Sequence, residues 1–581
     1  MPIAPAAALA AALLSATAQD LVTTAERTAF ERTGRYDEAV RLCRDYARAF
    51  PRRARCVSFG VTPERRELVA LVASADGVLT PYAARARRRP VVLFQGAIHA
   101  GELDGKDAGF ILLRELLRKG GGPLAGVTAV FVPVFNVDGH ERFGPLQRPN
   151  QRGPLEAGWR VTAANLNLNR DYLKADAPET RAMLALLRKW DPIVYADLHV
   201  TDGAQFQHDL AVMVEPRFGY AAALRPEGAA LSEALLARLT TGGHLPVDFY
   251  PSFREDGDPA SGFAQGVPPP HFGHGYWAAQ DRIGILLEAH SWRPYGERVK
   301  GAVDFLRALL ELAAERGARW RAAAERADRE APALAGREVA LAFEPTGEPT
   351  PLAFRGYAYV REPSVVTGAP VTRYDESRPE VWNVPYLAAL RPAASAVLPR
   401  GGWVVPAGFA EPVAAKLAVH GVRFERLGGA RPPREVEVFR ATEAKFRAEP
   451  FEGRQQLSVK GAWACERRSI GAGALFVPVA QPRALVAAHL LEPAAPDALL
   501  AWGTFNAAFE RKEYIEDYVL EPFARQLLAE DAAVRAEWEQ RLADPTFAAD
   551  RRARSEFFFR RHPAWDETYR RYPVVRVDAR P

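Results

Sequence analysis

Three short apolar runs in the sequence lead to residues that can bind a metal or move a proton. The first runs into a turn that carries His99 and Glu102, the second ends at His199, and the third ends at Glu288. The sheets of α/β proteins place their ligands at the carboxyl ends of strands. We therefore expect these four side chains to lie at one edge of a sheet.

His99, Glu102 and His199 form a donor set that suits zinc. Catalytic zinc takes three protein ligands, commonly two histidines and one glutamate, and keeps a fourth position for water. The His-x-x-Glu spacing alone is weak evidence, because His489 and Glu492 share it inside an apolar helical run, where we expect an ordinary surface pair. A hydrogen-bonded structural imidazole is the alternative for each histidine. Two histidines at strand ends with a correctly spaced glutamate favour the metal.

Glu288 is a carboxylate that ends an apolar strand. Burying such a charge costs free energy unless a partner compensates it, so an acid in this position is often functional. Beside zinc, Glu288 would take a proton from water and deliver it to a leaving amine. A structural salt bridge is the alternative.

Two arginines between these strands stand in short motifs, Gly158-Trp159-Arg160 and Asn169-Arg170. Guanidinium groups bind carboxylates in a forked geometry and stabilise a developing oxyanion. Because the chain is rich in arginine, spacing alone supports structural ion pairs equally well.

The elements that must position these residues alternate between strand and helix. Continuous apolar runs suit strands covered on both faces, so we predict a three-layer α/β domain. The strand-like runs are 91–94, 127–135, 193–198 and 283–287, and the helical patterns are about 20–50, 103–119, 176–190, 226–240 and 299–330.

The chain is 581 residues long, which predicts at least two domains. A Pro- and Ala-containing segment after residue 330 separates a catalytic domain, 19–330, from an α+β accessory domain, 337–581. Segments 402–406 and 473–478 look alike and each precedes Ala-rich sequence, which predicts a repeated strand–helix unit. The last sixty residues have the pattern of charged, aromatic-rich helices.

Composition restricts the partners and the compartment. A net charge of +5, with arginines scattered among acids, excludes nucleic acid as the expected partner. Residues 1–18 carry no charged side chain and end in Ala16-Thr17-Ala18, which is typical of a bacterial signal peptide. No other run is as long and apolar, so we expect a secreted or periplasmic protein without stable membrane insertion.

The chain has three cysteines, too few for a disulfide scaffold. Cys43 and Cys56 are close enough in sequence to pair in an oxidising compartment, which would leave Cys465 alone. Three unpaired thiols fit the sequence equally well.

Taken in order, these motifs resemble the zinc carboxypeptidase family that includes carboxypeptidases A and B. The resemblance covers about residues 55–310, and the segment 135–139 is similar to the family's Asn-Pro-Asp-Gly turn. It implies a mixed eight-stranded sheet flanked by helices and removal of C-terminal residues from peptides. The implied roles are zinc ligands (His99, Glu102, His199), general base and acid (Glu288), polarisation of the scissile carbonyl (Arg160) and binding of the substrate's terminal carboxylate (Asn169, Arg170).

The sequence departs from the family pattern at two places. The family has an aspartate that orients the first zinc histidine, and here that position is Asn167. An amide oxygen accepts the imidazole proton but adds no charge, so metal affinity is lower or another acid substitutes. The family's mobile substrate-capping tyrosine has no clear match; Tyr276 is the nearest candidate. We interpret the neighbouring His271-x-x-His274 as mobile loop residues rather than a second metal site.

Other functions share this residue pattern. A zinc deacylase or amidase acting on a small carboxylate-bearing amide would use the same metal site and Arg170. An inactive peptide-binding module is a further alternative, although every ligand and Glu288 are present. Asp256 and Asp258 would favour basic substrates if they faced the site, or they belong to a solvated loop.

Overall fold

A mixed β-sheet of eight strands runs through the first half of the chain. The computed structural model describes residues 21–581, so the signal peptide predicted over 1–18 lies outside the described residues. The strands of this half are β1 (Ala54–Val61), β2 (Glu67–Ala73), β3 (Val91–Gln95), β4 (Thr128–Val132), β5 (Gly144–Pro145), β6 (Glu156–Ala157), β7 (Val194–Thr201), β8 (Leu210–Glu215), β9 (Pro246–Val247), β10 (Phe263–Ala264) and β11 (Ile283–His290).

The sheet has the order β1-β2-β4-β3-β7-β11-β8-β9. Its centre is parallel, because β3 pairs in parallel with β4 and β7, and β7 pairs in parallel with β11. The pairs β1–β2, β2–β4 and β11–β8 are antiparallel. The three strands that lead to the candidate chemistry, β3, β7 and β11, are therefore neighbours that point the same way.

Helices cover both faces of the sheet. In β3, Val92 and Phe94 face one layer of helices, and Val91 and Leu93 face the other. This two-sided burial explains the continuous apolar runs and confirms the predicted three-layer α/β fold. The helices are α1 (Thr24–Arg27), α2 (Tyr36–Ala49), α3 (Pro81–Ala86), α4 (Asp104–Arg118), α5 (Val137–Glu141), α6 (Pro178–Trp190), α7 (Arg225–Thr241), α8 (Gly273–Ala279) and α9 (Tyr295–Glu330).

Two predicted elements differ in extent. The strand expected over 127–135 ends at Val132, immediately before a proline. The helical stretch expected over 20–50 divides into α1 and α2, because Ala29 and Phe30 take positive φ angles of 49° and 63° between them.

The C-terminal half is an α+β region, as predicted. Its helices are α10 (Ala407–His420), α11 (Ala484–Leu491), α12 (Asp517–Glu530), α13 (Ala532–Leu542), α14 (Pro545–Ala549) and α15 (Arg551–Phe559). Its strands are β12 (Glu338–Thr346), β13 (Thr350–Pro363), β14 (Pro370–Leu387), β15 (Ala389–Val397), β16 (Gly402–Val405), β17 (Glu425–Arg426), β18 (Arg431–Phe446), β19 (Leu457–Ile470), β20 (Leu475–Pro478) and β21 (Val575–Val577).

The two similar segments of this region both form a strand followed by a helix. β16 leads into α10 and β20 leads towards α11, and the two strands pair antiparallel inside a six-stranded sheet. The repeated strand–helix unit predicted from the sequence is therefore present. The prediction that the last sixty residues are largely helical also agrees with α12 to α15.

The second half shares a hydrophobic core with one face of the eight-stranded sheet. Leu93 and Trp190 belong to the same buried cluster as Trp403, Leu417 and Leu490. The sequence could not show this joint core, because its two parts are far apart along the chain.

His489 and Glu492 correct one expectation. They are not a surface pair: both are buried, and the Glu492 carboxylate accepts hydrogen bonds from Trp403 Nε1 at 2.6 Å and Arg576 Nε at 3.1 Å. The reason is that α11 is apolar all round, which is the pattern of a buried helix.

Two of the three cysteines are paired. Cys43 in α2 and Cys56 in β1 form a disulfide with their Cα atoms 5.3 Å apart, and Cys465 is unpaired and exposed. No helix within residues 21–581 has the length and apolarity needed to cross a membrane.

His244 joins three segments of the first half of the chain. Its Nδ1 lies 2.6 Å from Asp209 Oδ2, just before β8, and its Nε2 lies 3.1 Å from Asp304 Oδ2 in α9. Hydrogen bonds to Asp209 and Asp304 raise the pKa of His244 to about 9. A pKa raised in the folded state stabilises the protein below the unfolded value, about 6.5, and this stabilisation disappears as pH rises through the folded value.

We expect His244→Gln to lower Tm most at about pH 6, because the variant lacks the imidazolium that both aspartates bind. The difference from wild type should shrink as pH rises through about 9, where the native ring also loses its proton. Thermal unfolding of the wild type and the variant from about pH 6 to above pH 9 measures this difference in Tm. An equal loss of Tm at both ends of the range would contradict the role of the charge.

Candidate metal centre and active site

The candidate residues meet at the carboxyl ends of three neighbouring parallel strands. His99 and Glu102 lie in the turn that follows β3, His199 is near the end of β7, and Glu288 is near the end of β11. Glu288 is the direct ladder partner of His199. The expectation that these four side chains lie together at one edge of the sheet agrees with the structure.

Two imidazole nitrogens and one carboxylate converge in this place. His99 Nδ1 lies 2.9 Å from Glu102 Oε1, and His199 Nδ1 lies 3.0 Å from Glu102 Oε2. One ligand atom from each residue lies within 4.8 Å of the others, and all three side chains are buried. This donor set is the one that catalytic zinc takes.

The remaining ring nitrogens face protein oxygens. His99 Nε2 lies 3.2 Å from Asn167 Oδ1, and His199 Nε2 lies 3.1 Å from Asp197 Oδ2. The Asn167 amide oxygen fixes the tautomer and orientation of the His99 ring, and the Asp197 carboxylate forms an ion pair with His199. Nδ1 of each ring is left for a metal. Asn167 therefore occupies the orienting position that its sequence context predicted. The residues present fit a zinc ion.

The charges of the cluster compensate one another. Burial lowers the pKa of His99 to about 4, which keeps this imidazole neutral, the form that binds metals. Burial opposes the charge on Glu102, but His99 and Arg148 outweigh it and hold the pKa of Glu102 well below its usual value. Burial would likewise lower the pKa of His199, but Asp197 raises it well above the usual value.

Asp197 and Gln95 are site residues that sequence analysis missed. Asp197 is two positions before His199 on β7, so both side chains lie on the same face of the strand. Gln95 Nε2 donates to Asp197 Oδ1 at 2.9 Å, and Tyr172 Oη donates to Gln95 Oε1 at 3.1 Å. The Asp-x-His spacing on a buried strand was the signal that could have revealed Asp197.

Arg148 is a third missed residue. Its Nη2 donates to Glu102 Oε1 at 2.7 Å. A Cβ atom at Gly101 would lie 2.2 Å from Arg148 Cγ, so glycine between the two metal-binding residues allows the arginine to approach. Arg148 comes from an irregular segment with no spacing pattern, and no sequence signal identified it.

The segment that resembles the family's Asn-Pro-Asp-Gly turn positions Arg160. Asn136 Oδ1 accepts from Gly139 N at 3.1 Å, and Asn136 Nδ2 donates to Arg160 O at 3.1 Å. A Cβ atom at Gly158 would lie 2.6 Å from Ala100 O, so glycine lets the Arg160 segment lie against the metal-binding turn. Arg160 Nη1 then lies 3.8 Å from Glu102 Oε1.

A cavity of about 500 Å³ opens beside the cluster and is lined by His99, Arg160, Asn169, Arg170 and Glu288 among others. Burial raises the pKa of Glu288 to about 8. Its Oε2 atom is buried and has no hydrogen-bond partner in the described part of the chain. Glu288 is therefore available to exchange a proton with a molecule in the cavity.

Arg170 and Asn169 lie in the same cavity. The Arg170 guanidinium packs 4.5 Å from the Phe272 ring, and its Nη1 donates to Asn169 O at 2.8 Å. Burial, followed by the charge of Arg160, lowers the pKa of Arg170. Two partly desolvated cations in one cavity favour an anionic ligand, since an anion offsets both burial and mutual repulsion.

The structure corrects the expectation for Tyr276. Its side chain is buried in α8, away from the cavity lining, and its hydroxyl lies 2.9 Å from His420 Nδ1 and accepts from Gln280 Nε2 at 2.6 Å. The tyrosine that lines the cavity is Tyr250, whose pKa is raised by the negative charge of Glu288 and by burial. Tyr250 stands in an irregular loop, so its position could not be predicted from spacing.

Other nearby residues also differ from expectation. His274 is buried at the start of α8 and lines the cavity, so it is a helix residue and not a loop residue. His271 lies in the turn before this helix, where its Nδ1 is 2.9 Å from Asp497 Oδ1. Asp256 and Asp258 are outside the cavity lining, and Asp258 pairs with an arginine of β13.

Comparisons with known proteins agree with the family resemblance. A family model described as zinc carboxypeptidase matches residues 39–212, which include His99, Glu102 and His199 but stop before Glu288. A search of curated proteins returned no match. The matching part of the chain is thus similar to the zinc carboxypeptidase family, which confirms the resemblance seen in the sequence.

Solved structures of similar proteins are metallocarboxypeptidases. A metallo-carboxypeptidase from Burkholderia cenocepacia is 16% identical, covering 47% of this chain and 68% of that chain, with a TM-score of 0.34. One from Pseudomonas aeruginosa is 15% identical, covering 48% and 69%, with a TM-score of 0.35. Carboxypeptidase A from Helicoverpa armigera is 15% identical, covering 51% and 75%, with a TM-score of 0.32.

We expect His99→Ala, Glu102→Ala and His199→Ala each to lower bound zinc well below one ion per chain, because two remaining donors are too few for tight binding. Metal analysis of the purified, dialysed proteins measures this. His489→Leu is the matched control, since it alters a buried His-x-x-Glu pair of the same spacing that is not part of the donor cluster. Stoichiometric zinc in all three alanine variants would rule out the assignment.

Proposed function

We propose that this protein is a zinc-dependent hydrolase that removes C-terminal residues from peptides. The observation that carries the proposal is that one cavity, lined by His99, Arg170 and Glu288, opens at the His99–Glu102–His199 donor set, and that Glu288 Oε2 has no hydrogen-bond partner among the described residues. Hydrolysis needs an activated water, a group that moves protons and a group that orients the substrate. Each of these requirements has a residue in this cavity.

Zinc held by His99, Glu102 and His199 would polarise the scissile carbonyl and make a water molecule more acidic. Glu288 is placed to accept the proton of the attacking water and to return it to the amine that leaves. Burial raises the pKa of Glu288 above its usual value and so brings it closer to neutral pH, where proton transfer in both directions is effective. Arg160, also in the cavity lining, would donate hydrogen bonds to the developing oxyanion.

The carboxylate-binding pair determines which end of a peptide enters. Arg170 and Asn169 would bind a free terminal carboxylate, and the buried Asn169 Oδ1, which has no partner among the described residues, leaves that amide free to turn toward a ligand. Tyr250 lines the same cavity and would cover the bound residue, the role we expected of Tyr276. The complete set of donors and Glu288 argue against an inactive binding module.

Export of the protein is the second part of the proposal. The Cys43–Cys56 disulfide supports it, because disulfides persist in oxidising compartments such as the periplasm and the extracellular space. The sequence of residues 1–18 has the pattern of a signal peptide that would direct the chain there.

We expect Glu288→Gln to retain zinc while turnover falls by roughly 10²–10⁴-fold, the usual effect of losing a general acid–base group. Glutamine keeps the shape of the side chain but cannot accept the proton. Metal analysis and steady-state hydrolysis of one peptide substrate separate the two effects. Loss of zinc from the variant would indicate that Glu288 is a metal ligand. Full activity of the variant would exclude Glu288 from the proton transfer.

We expect the wild-type enzyme to shorten a peptide with a free C-terminal carboxylate one residue at a time and to leave its C-terminally amidated twin nearly intact. The neutral amide would leave the Arg170 guanidinium unpaired, and losing one partner of a buried charged pair costs about 3–5 kcal/mol. Arg170→Ala should narrow the difference between the two peptides and keep its zinc. Mass spectrometry of both digests identifies the products.

Two results of the digests would change the assignment. Equal cleavage of acid and amide, or cuts inside the peptide, would indicate an endopeptidase. Release of an acid only from small acyl-amino acids, with both peptides intact, would indicate a deacylase that uses the same zinc site and Arg170.

A further inference from the structure

The loop between β18 and β19 brings the C-terminal region to the candidate active site. At its tip, Glu452 Oε2 accepts a hydrogen bond from the backbone N–H of Asn167 at 2.8 Å. Arg454 binds both carboxylate oxygens of Asp176, with Nε to Oδ2 at 2.9 Å and Nη2 to Oδ1 at 2.7 Å. The loop is thus attached to the catalytic segment at two points.

The residue that Glu452 binds is the one that orients a candidate zinc ligand. Asn167 Oδ1 lies 3.2 Å from His99 Nε2 and accepts from Asn169 N at 3.0 Å. Its side chain therefore serves two partners, while its backbone N–H is bound by Glu452. A shift of this backbone would move the amide oxygen away from the imidazole, so the Glu452 contact helps to hold His99 in position.

Glu452 also carries charge into this part of the site. Its negative charge raises the pKa of Arg170, against the larger lowering effects of burial and Arg160. Asn167 is neutral and adds no negative charge beside His99. The only anion that hydrogen-bonds to Asn167 in the described part of the chain is Glu452, which comes from 285 residues further along.

We infer that Glu452 is a positioning residue, through which the C-terminal region acts on the catalytic site. It holds Asn167, and through Asn167 the His99 imidazole, by a hydrogen bond. It also sets the charge near Arg170. The first effect concerns zinc alone; the second rests on the function proposed above, in which Arg170 binds a substrate carboxylate.

Two substitutions separate the hydrogen bond from the charge. Glu452→Ala removes both, whereas the Glu452→Gln amide oxygen still accepts from Asn167 N without carrying charge. Glu449→Gln is the control, because Glu449 is exposed, lies on the same loop and makes no side-chain hydrogen bond or ion pair in the described residues. Zinc affinity of the full chain is measured by competition with a chelator, and Tm verifies folding.

We expect Glu452→Ala to weaken zinc binding by about 10-fold, the lower end of the effect of losing an orienting partner of a ligand. Glu452→Gln should bind zinc within about 2-fold of wild type, because the orienting hydrogen bond remains. Unchanged zinc affinity in Glu452→Ala, or equal weakening in both variants, would overturn the positioning role. Glu452→Gln tests the effect of the Glu452 charge near Arg170 even if the alanine variant folds poorly.

The charge near Arg170 is tested with peptide substrates. Glu452→Gln should lower KM severalfold for a peptide with a free C-terminal carboxylate and leave kcat nearly unchanged, since no anion then competes for the guanidinium. An unchanged KM overturns this part of the inference. The zinc measurements need no turnover, so they test the positioning role even if the protein cleaves no peptide.

Discussion

The buried carboxylate of Glu102 is the interaction on which the site depends. A carboxylate removed from water is costly unless nearly every lone pair has a partner. Glu102 Oε1 receives Arg148 Nη2 and faces His99 Nδ1, while Oε2 accepts the Val200 backbone N–H and faces His199 Nδ1. These partners come from the ends of two strands and from a separate loop. The Glu102 carboxylate therefore connects segments that are far apart in the sequence.

The parallel strands supply the geometry that this charge requires. Because β3, β7 and β11 are adjacent and run the same way, their carboxyl ends lie at one edge of the sheet. Glu288 and His199 are paired residues of two adjacent strands, so the sheet itself places them side by side. Strands β7 and β11 therefore carry His199 and Glu288, and the turn after β3 carries His99 and Glu102. Loops carry Arg148, which donates to Glu102, and Tyr250, which lines the cavity.

The sequence alone was sufficient to predict the strands and helices that have a regular apolar pattern, and the site residues that end or follow a strand. The continuous apolar runs revealed the buried strands, and their ends gave His99, His199 and Glu288. It was insufficient where side chains come from irregular segments, as with Tyr250, or from a remote part of the chain, as with Glu452. Tyr276 is close to Glu288 in the sequence, but this closeness did not predict its position. In α8 its hydroxyl faces His420 of α10 and not the cavity.

The hydrophobic core shared by the two halves has a consequence for how the protein unfolds. Leu93 and Trp190 pack in the same cluster as Trp403 and Leu417, so neither half completes its own interior. Halves that share an interior lose their packing together, which favours a single cooperative melting transition over two separate ones. A chain shortened to its first half would present this apolar face to water and would be prone to aggregate.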